Sequence, residues 1–289
     1  MDKHTWKRVV QHLYKQLKSR PPGWIFWHPH QKLWNWSILG IIYLFFGDSQ
    51  LAKFLDTQII KLDTSLWNSK LNKISSRAER NGYNKNKTIR YFDLGTHKEA
   101  EELKWMHSFL SEFTNPIQIF GFEAHPDHYN EASINTGSLD YVEIYNFALV
   151  HQLPKTDTVR LYTGTGGLSD SIYRSYKKTY IDVPAMTFSQ FLVHNNIDLS
   201  ESINLIRMNI EGAEWDVIKD LIDKDLLQYF DGFFGMWDDL SKIDLQKDKE
   251  FRALLKEHKI HTFPFNGRDM KIQIRINLIR KSLLKAINL

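Results

Sequence analysis

Ile203–Ile210 reads INLIRMNI, and Glu211-Gly212-Ala213-Glu214 follows it directly. A short β-branched and apolar run of this length, bounded by a glycine, reads as a strand. The next residues, Trp215–Leu227, carry apolar positions at helical spacing, so the strand hands over to a helix through the polar turn around Gly212. Asn209 and Glu211 alternate along the strand in this reading, which places both side chains on one side of it. A strand that ends in polar residues and turns at once into a helix is half of a β-α-β unit.

Working outward from there, the same alternation recurs. Thr88–Asp93, Ile117–Glu123, Tyr141–Phe147 and Gly232–Met236 read as strands, and Thr158–Thr163 as an extension of the same sheet. Helices are expected at Glu99–Phe113, within His125–Thr136, at Thr187–Asn195 and at Lys249–His258. The first of these places Ala100, Leu103, Met106 and Leu110 on one stripe. From Ile260 onward a strand and then KIQIRINLI close the pattern as an antiparallel edge pair. Strands alternating with helices define an α/β protein: a doubly wound, mainly parallel sheet covered on both faces.

The pattern begins only near residue 88. Residues 1–70 read as a helical N-terminal cap or extension, with Trp6, Val9, Val10, Leu13 and Leu17 on one face and Arg20-Pro21-Pro22-Gly23 ending the first helix. Residues 71–87 are rich in Asn, Lys and Ser and read as a polar linker, which leaves 88–289 as the α/β domain. Trp34–Phe46 is apolar but shorter than the roughly 20 residues of a spanning helix. It reads as a buried helix of the extension. The alternative is peripheral membrane contact through residues 24–46, with Trp24, Trp27, Trp34 and Trp36 at headgroup level.

Composition narrows the function. With 38 Lys and Arg against 34 Asp and Glu, spread along all 289 residues, the net charge of +4 forms no basic stripe for nucleic acid. The absence of cysteine removes disulfides, thiolate metal sites and cysteine nucleophiles, and a cytoplasmic location is the simplest expectation.

Two further strand ends carry acidic residues. Asp93-Leu94-Gly95-Thr96-His97 sits where the first strand meets a helix, and Gly95 allows a ligand to approach the backbone there. A carboxylate at that point suits a cationic ligand such as S-adenosylmethionine, whereas a pyrophosphate calls for more glycines and no acid. Glu123 closes the second strand, where a carboxylate takes two hydrogen bonds from the vicinal hydroxyls of a ribose. His125 and His128 flank Asp127, but no third ligand accompanies them, so no metal site is expected. Thr163–Ser171, TGTGGLSDS, reads as a loop over the cofactor and lacks the GK[ST] of a phosphate loop.

Taken together, FDLGTH, FGFEAHP, YNFALV, VPAMTFSQFL and LIRMNIEGAEWDVIKDL resemble the FkbM family of S-adenosylmethionine-dependent methyltransferases over about residues 88–240. The resemblance implies a seven-stranded class I methyltransferase domain, S-adenosylmethionine as cofactor, and O-methylation of a sugar or other small or glycan acceptor. It matches Asp93, Gly95 and Thr96 to the first cofactor motif and Glu123 to the ribose-binding acid. Asn146, Phe147 and Ala148 match the segment near the adenine, and Asn209 and Glu211 the family's two acids after the fourth strand. The chain departs from the pattern twice: His97-Lys98-Glu99 stands where a second glycine is common, and Arg207-Met208-Asn209 stands for Lys-x-Asp.

Methyl transfer is an in-line displacement that depends on alignment, and a hydroxyl acceptor must also lose its proton. Glu211 is the first candidate base, His97 the second and Asp238 the third. Trp237, Asp239 and Arg268 are candidates for holding the acceptor; the rings of Trp237, Tyr162 and Tyr173 pack either against substrate or, as the commoner role of such rings, in the core. The competing readings are a nicotinamide-dependent oxidoreductase, which lacks its three-glycine loop here, a non-catalytic nucleotide-binding module, and a membrane-attached scaffold.

Overall fold

The computed structural model describes residues 87–260 apart from 114, 165–169, 176–178, 236, 238 and 239, together with Phe54 and Gln58. Apart from Phe54, Gln58 and Lys87, the expected N-terminal helices and linker lie outside these residues, as do the 24–46 segment and the closing strands beyond Ile260.

Five parallel strands form the main sheet: β1 (Thr88–Leu94), β2 (Ile117–Phe122), β3 (Val142–Tyr145), β7 (Ser202–Met208) and β8 (Gly232–Gly235). Their order is β3-β2-β1-β7-β8. The chain runs outward from β1 to β3, then returns to the other side of β1 through β7. The winding direction therefore reverses between β1 and β7, the place where open α/β sheets open a crevice beyond their carboxyl ends.

Strand pleating sorts the side chains. On β1, Phe92 and Leu94 enter an aromatic-rich core with Phe120, Phe122, Ile206, Met208 and the helix residues Phe188 and Phe191. Ile89 and Tyr91 enter the opposite core with Ile117, Ile119, Ile203 and Leu205. That second face is covered by α1 (Glu101–Leu110), whose Leu103, Met106 and Leu110 are fully buried, as is Ala100 just before it. Each large apolar side chain buried in this way contributes about 1.5–3 kcal/mol. By the same alternation Asp93 on β1 and Arg207 on β7 must fall on the α1 face, and the register sets them directly opposite each other.

The remaining helices are α2 (Pro126–Thr136), α3 (Phe188–His194), α4 (Glu214–Asp223), α5 (Leu240–Ile243) and α6 (Leu245–Glu257). A Thr187/Gln190 capping box starts α3, with each side chain satisfying the other's backbone N–H.

One expectation is corrected. Instead of extending the main sheet, β5 (Thr158–Tyr162) joins a separate three-stranded sheet, ordered β4-β6-β5, with β4 (Ala148–Leu149) and β6 (Tyr180–Met186). β5 runs antiparallel to β6, and Val159 and Leu161 pack with Val183 and Ile181 in a small core of their own. Among the described residues the parallel sheet thus has five strands, against the seven expected.

Candidate active site

The site is built from the tips of β1, β2 and β7. At the first tip, the backbone N–H groups of Gly95 and Thr96 both donate to Phe122 O, at 2.9 and 3.0 Å. Thr96 Oγ1 donates to Asp93 O and accepts from Phe122 N. Gly95 has φ +86°, and a Cβ there would lie 2.2 Å from Asn209 O, so only glycine lets the β1 and β7 tips touch. Thr96, read from sequence as a cofactor contact, is 5 % exposed and acts as a brace of the turn.

Asp93 is fully buried. Its Oδ1 accepts from Arg207 Nη1 at 3.0 Å, and the same nitrogen donates to Gly95 O at 2.8 Å. Arg207 Nε lies 2.6 Å from Glu102 Oε2, in the first turn of α1. Two carboxylates therefore share one guanidinium beneath the tip. Asp93 Oδ2 is buried and has no hydrogen-bond partner among the described residues. Burial pushes the Asp93 carboxyl up and Arg207 pulls it back down, with the upward effect prevailing.

Glu123, just past β2, is held by backbone: Oε2 accepts from His97 N and Oε1 from His125 N, both at 2.9 Å. Burial raises its carboxyl, opposed by these donors. Asn146 Nδ2 donates to Glu123 O at 2.8 Å and Ala124 O at 3.1 Å, so Asn146 clamps this tip from the segment after β3. Ala148 is buried in β4. The His97 ring contacts Glu99 through Nδ1, while Nε2 is buried without a partner among the described residues. The rings of His125 and His128 stack at 4.5 Å, and His97 lies 5.2 Å from His128. Burial, then the charges of His125 and His97, lower His128. Among the described residues no group of three His, Cys, Asp or Glu is arranged to hold a metal ion.

The β7 tip is a tight turn. Strand β7 ends at Met208, and Glu211 takes φ +55° with Gly212 at φ +108°. The expectation that Asn209 and Glu211 share one side of a strand is corrected: the chain has already left the strand, so two-residue alternation no longer applies. Glu214 Oε1 accepts from Ile210 N and Oε2 from Gly212 N, both at 2.8 Å, which locks the turn at the start of α4. Glu211 is one of eight non-glycine residues at positive φ among the described residues. Glu211 Oε2 lies 2.7 Å from Arg174 Nη2, and Ser171 Oγ donates to Glu211 O at 2.7 Å. The segment following the 163–170 loop is thereby fastened to this tip. Asn209 N donates to Leu94 O, and Asn209 Oδ1 is buried without a partner among the described residues.

Trp237 takes the core position of its two expected roles. It is 4 % exposed, its Nε1 donates to Met208 O and Phe234 O, and its ring stacks on Phe251. Tyr173 is likewise engaged inside the fold: its hydroxyl donates to Asp216 and accepts from Lys247 Nζ at 2.9 Å. Asp238, Asp239 and Arg268 lie outside the described residues. Arg207, named in the sequence only as a departure, is the residue that sequence reasoning missed. A charge inside a wholly buried strand was its signal, because such a charge requires partners.

The parallel order β3-β2-β1-β7-β8, with acids at the β1, β2 and β7 tips, is consistent with an α/β domain of the class I methyltransferase type. Residues 93–234 match the family described as the Methyltransferase FkbM domain. The protein carries an FkbM methyltransferase domain in that segment, and FkbM methyltransferases use S-adenosylmethionine. No curated protein matches the chain. Among solved structures, a human methyltransferase 10 domain containing protein is similar at 12% identity and TM-score 0.28, over 65% of this chain and 71% of that one.

The residues fit that cofactor. Asp93 Oδ2, buried at the β1 tip without a hydrogen-bond partner among the described residues, is an acceptor that suits a ligand bearing ammonium and sulfonium charges. A ring of three glycines for a pyrophosphate is missing.

Proposed function

We propose that this domain transfers a methyl group to a hydroxyl of a sugar or other small or glycan acceptor. The observation that carries the reading is the strained Glu211 at the β7 tip, directly across the Gly95–Asn209 contact from the cofactor carboxylates. When bound, S-adenosylmethionine supplies an electrophilic methyl group. Glu123 accepts from ribose hydroxyls, a role its fixed orientation favours, and Asp93 supplies negative charge from below. Asn209 offers its free Oδ1 at the same crevice. As the acceptor oxygen bonds to the methyl carbon and the carbon–sulfur bond breaks, Glu211 takes the hydroxyl proton.

Glu211 is paired with Arg174, so an acceptor hydroxyl reaches its carboxylate by displacing that guanidinium. His97, with an unpartnered Nε2, is the alternative base. Glu211→Gln is expected to lower turnover by about 10²–10⁴-fold while cofactor affinity stays nearly constant. Calorimetry with S-adenosylmethionine and NAD, combined with a labelled-methyl assay on glycan extracts, tests the whole reading. Equal turnover in the variant removes Glu211 from the role, and binding of NAD alone removes the methyltransferase reading.

A further inference from the structure

The turn that carries Glu211 is gripped from two sides. From within, Glu214 accepts the N–H groups of Ile210 and Gly212. From outside, the segment after the 163–170 loop takes hold of the Glu211 carbonyl. Ser171 Oγ donates to Glu211 O at 2.7 Å and accepts from Tyr173 N at 3.1 Å. The Tyr173 ring stands beside the same turn, since a Cβ added at Gly212 would lie 3.5 Å from its Cδ2. Beyond the ring, the Tyr173 hydroxyl donates to Asp216 in the first turn of α4. It accepts from Lys247 Nζ of α6 at 2.9 Å, and that ammonium lies 4.2 Å from the ring centroid, within cation–π reach. The second oxygen of Asp216 accepts from His151 N at 3.1 Å, so the carboxylate that receives the phenol is itself fixed. Burial, then the charge of Asp216, push the phenol up, so it keeps its proton and remains a donor.

We infer that Tyr173, relayed through Ser171, is the residue that positions Glu211 for the proton transfer assigned to it above. The inference rests on that reading of Glu211. A carboxylate is placed only as well as the turn that bears it, and transfer between aligned atoms suffers from a misplacement of about 1 Å. The phenol ties this turn to α4 and α6, whose Val217, Ile218, Phe251 and Leu255 belong to the main core. Arg174, the partner of the Glu211 carboxylate, follows Tyr173 directly, so the same anchor sets where that guanidinium stands. Space-filling alone asks only for the ring; the hydroxyl is what joins the helices to the segment that holds Glu211 O. Tyr173 acts through Glu211 and is a positioning residue.

The test is turnover of the full chain with labelled S-adenosylmethionine at saturation and a glycan extract as acceptor. Wild type, Tyr173→Phe, Glu211→Gln and the double variant are compared, and donor affinity is read by calorimetry. Tyr173→Phe keeps the ring against Gly212 and is expected to lower turnover about tenfold while donor affinity stays within about twofold. In the Glu211→Gln background the same change is expected to cost less than about twofold, because effects that run through one group do not add. A merely structural Tyr173 lowers turnover by the same factor in both backgrounds, or weakens donor binding in proportion, and either result overturns the inference.

Should Tyr173→Phe fail to fold, Ser171→Ala, which removes only the relay hydroxyl, takes its place with the same expected outcomes. A slow Glu211→Gln beside a Tyr173→Phe of wild-type turnover overturns this inference alone. Wild-type turnover in Glu211→Gln removes the base reading, and no label transferred by wild type removes the acceptor reading; each takes this inference with it.

Discussion

The tips of β1 and β7 lie side by side, yet they restrain their carboxylates by opposite means. At β1, Asp93 is sealed under the sheet edge, and a side-chain cation, Arg207, compensates it. At β7, Glu214 accepts from two backbone N–H groups and closes a turn in which Glu211 is left-handed, its partly exposed carboxylate paired with Arg174. The first arrangement stores charge without letting the carboxylate touch water. The second stores backbone strain and presents a carboxylate at the crevice. Neighbouring acids of the same chemistry thus meet different surroundings: one is sealed against a guanidinium, and the other stands partly exposed in a turn.

The sharpest way to break this contrast is to remove the side-chain cation. Arg207→Met leaves Asp93 and Glu102 buried without it, and the expected loss is about 3–5 kcal/mol in urea unfolding. A loss under about 1 kcal/mol would show that the cluster is not closed to water. Glu214→Ala acts on the other tip. It leaves the Ile210 and Gly212 N–H groups without their acceptor and is expected to cost about 2–3 kcal/mol. The companion readout is hydrogen exchange at those two amides, which should accelerate in the variant; unchanged protection would mean that another group holds the turn.

A smaller effect sharpens the role of burial at the β2 tip. Burial raises the Glu123 carboxyl in the folded protein despite its two backbone donors. The folded state then binds more protons than the unfolded one from the ordinary glutamate value upward. This group's contribution is therefore fully present below that value and declines as pH rises through the raised one. Glu123→Gln is expected to flatten the fall of Tm as pH rises above the ordinary glutamate range. An unaltered slope would assign the titration to other buried acids, such as Asp216 or Asp231, which burial also raises.

The parallel strands were legible because each is a short apolar run closed by a turn and followed by helical spacing. β6 was not. Pro184 interrupts Tyr180–Met186, and proline argues against a strand that has neighbours on both sides. The alternation of Ile181, Val183 and Ala185 was the available signal, since the last two are buried and all face one way. The second sheet was hidden for a different reason: nothing in TVRLYT states which strand it will pair with, and pairing is a long-range choice.

In the site, Asp93, Gly95, Glu123 and Glu211 could be found from sequence because each sits at a strand-to-helix junction, where a turn exposes polar groups. Trp237 stayed open between two roles, because an aromatic ring beside two acids reads as a platform or as core. Only its contacts with Phe251, Met208 and Phe234 decide between them.

Local patterning determined which segments became strands and helices, and that acids would stand at the strand ends, because periodicity and turn chemistry act within a few residues. Tertiary structure decided which acids were neutralised. Asp93 and Arg207 are 114 residues apart in the chain, and only the β1–β7 register brings them within hydrogen-bonding distance. Charge compensation depends on distance through space, and a one-dimensional sequence does not contain that distance until the sheet closes.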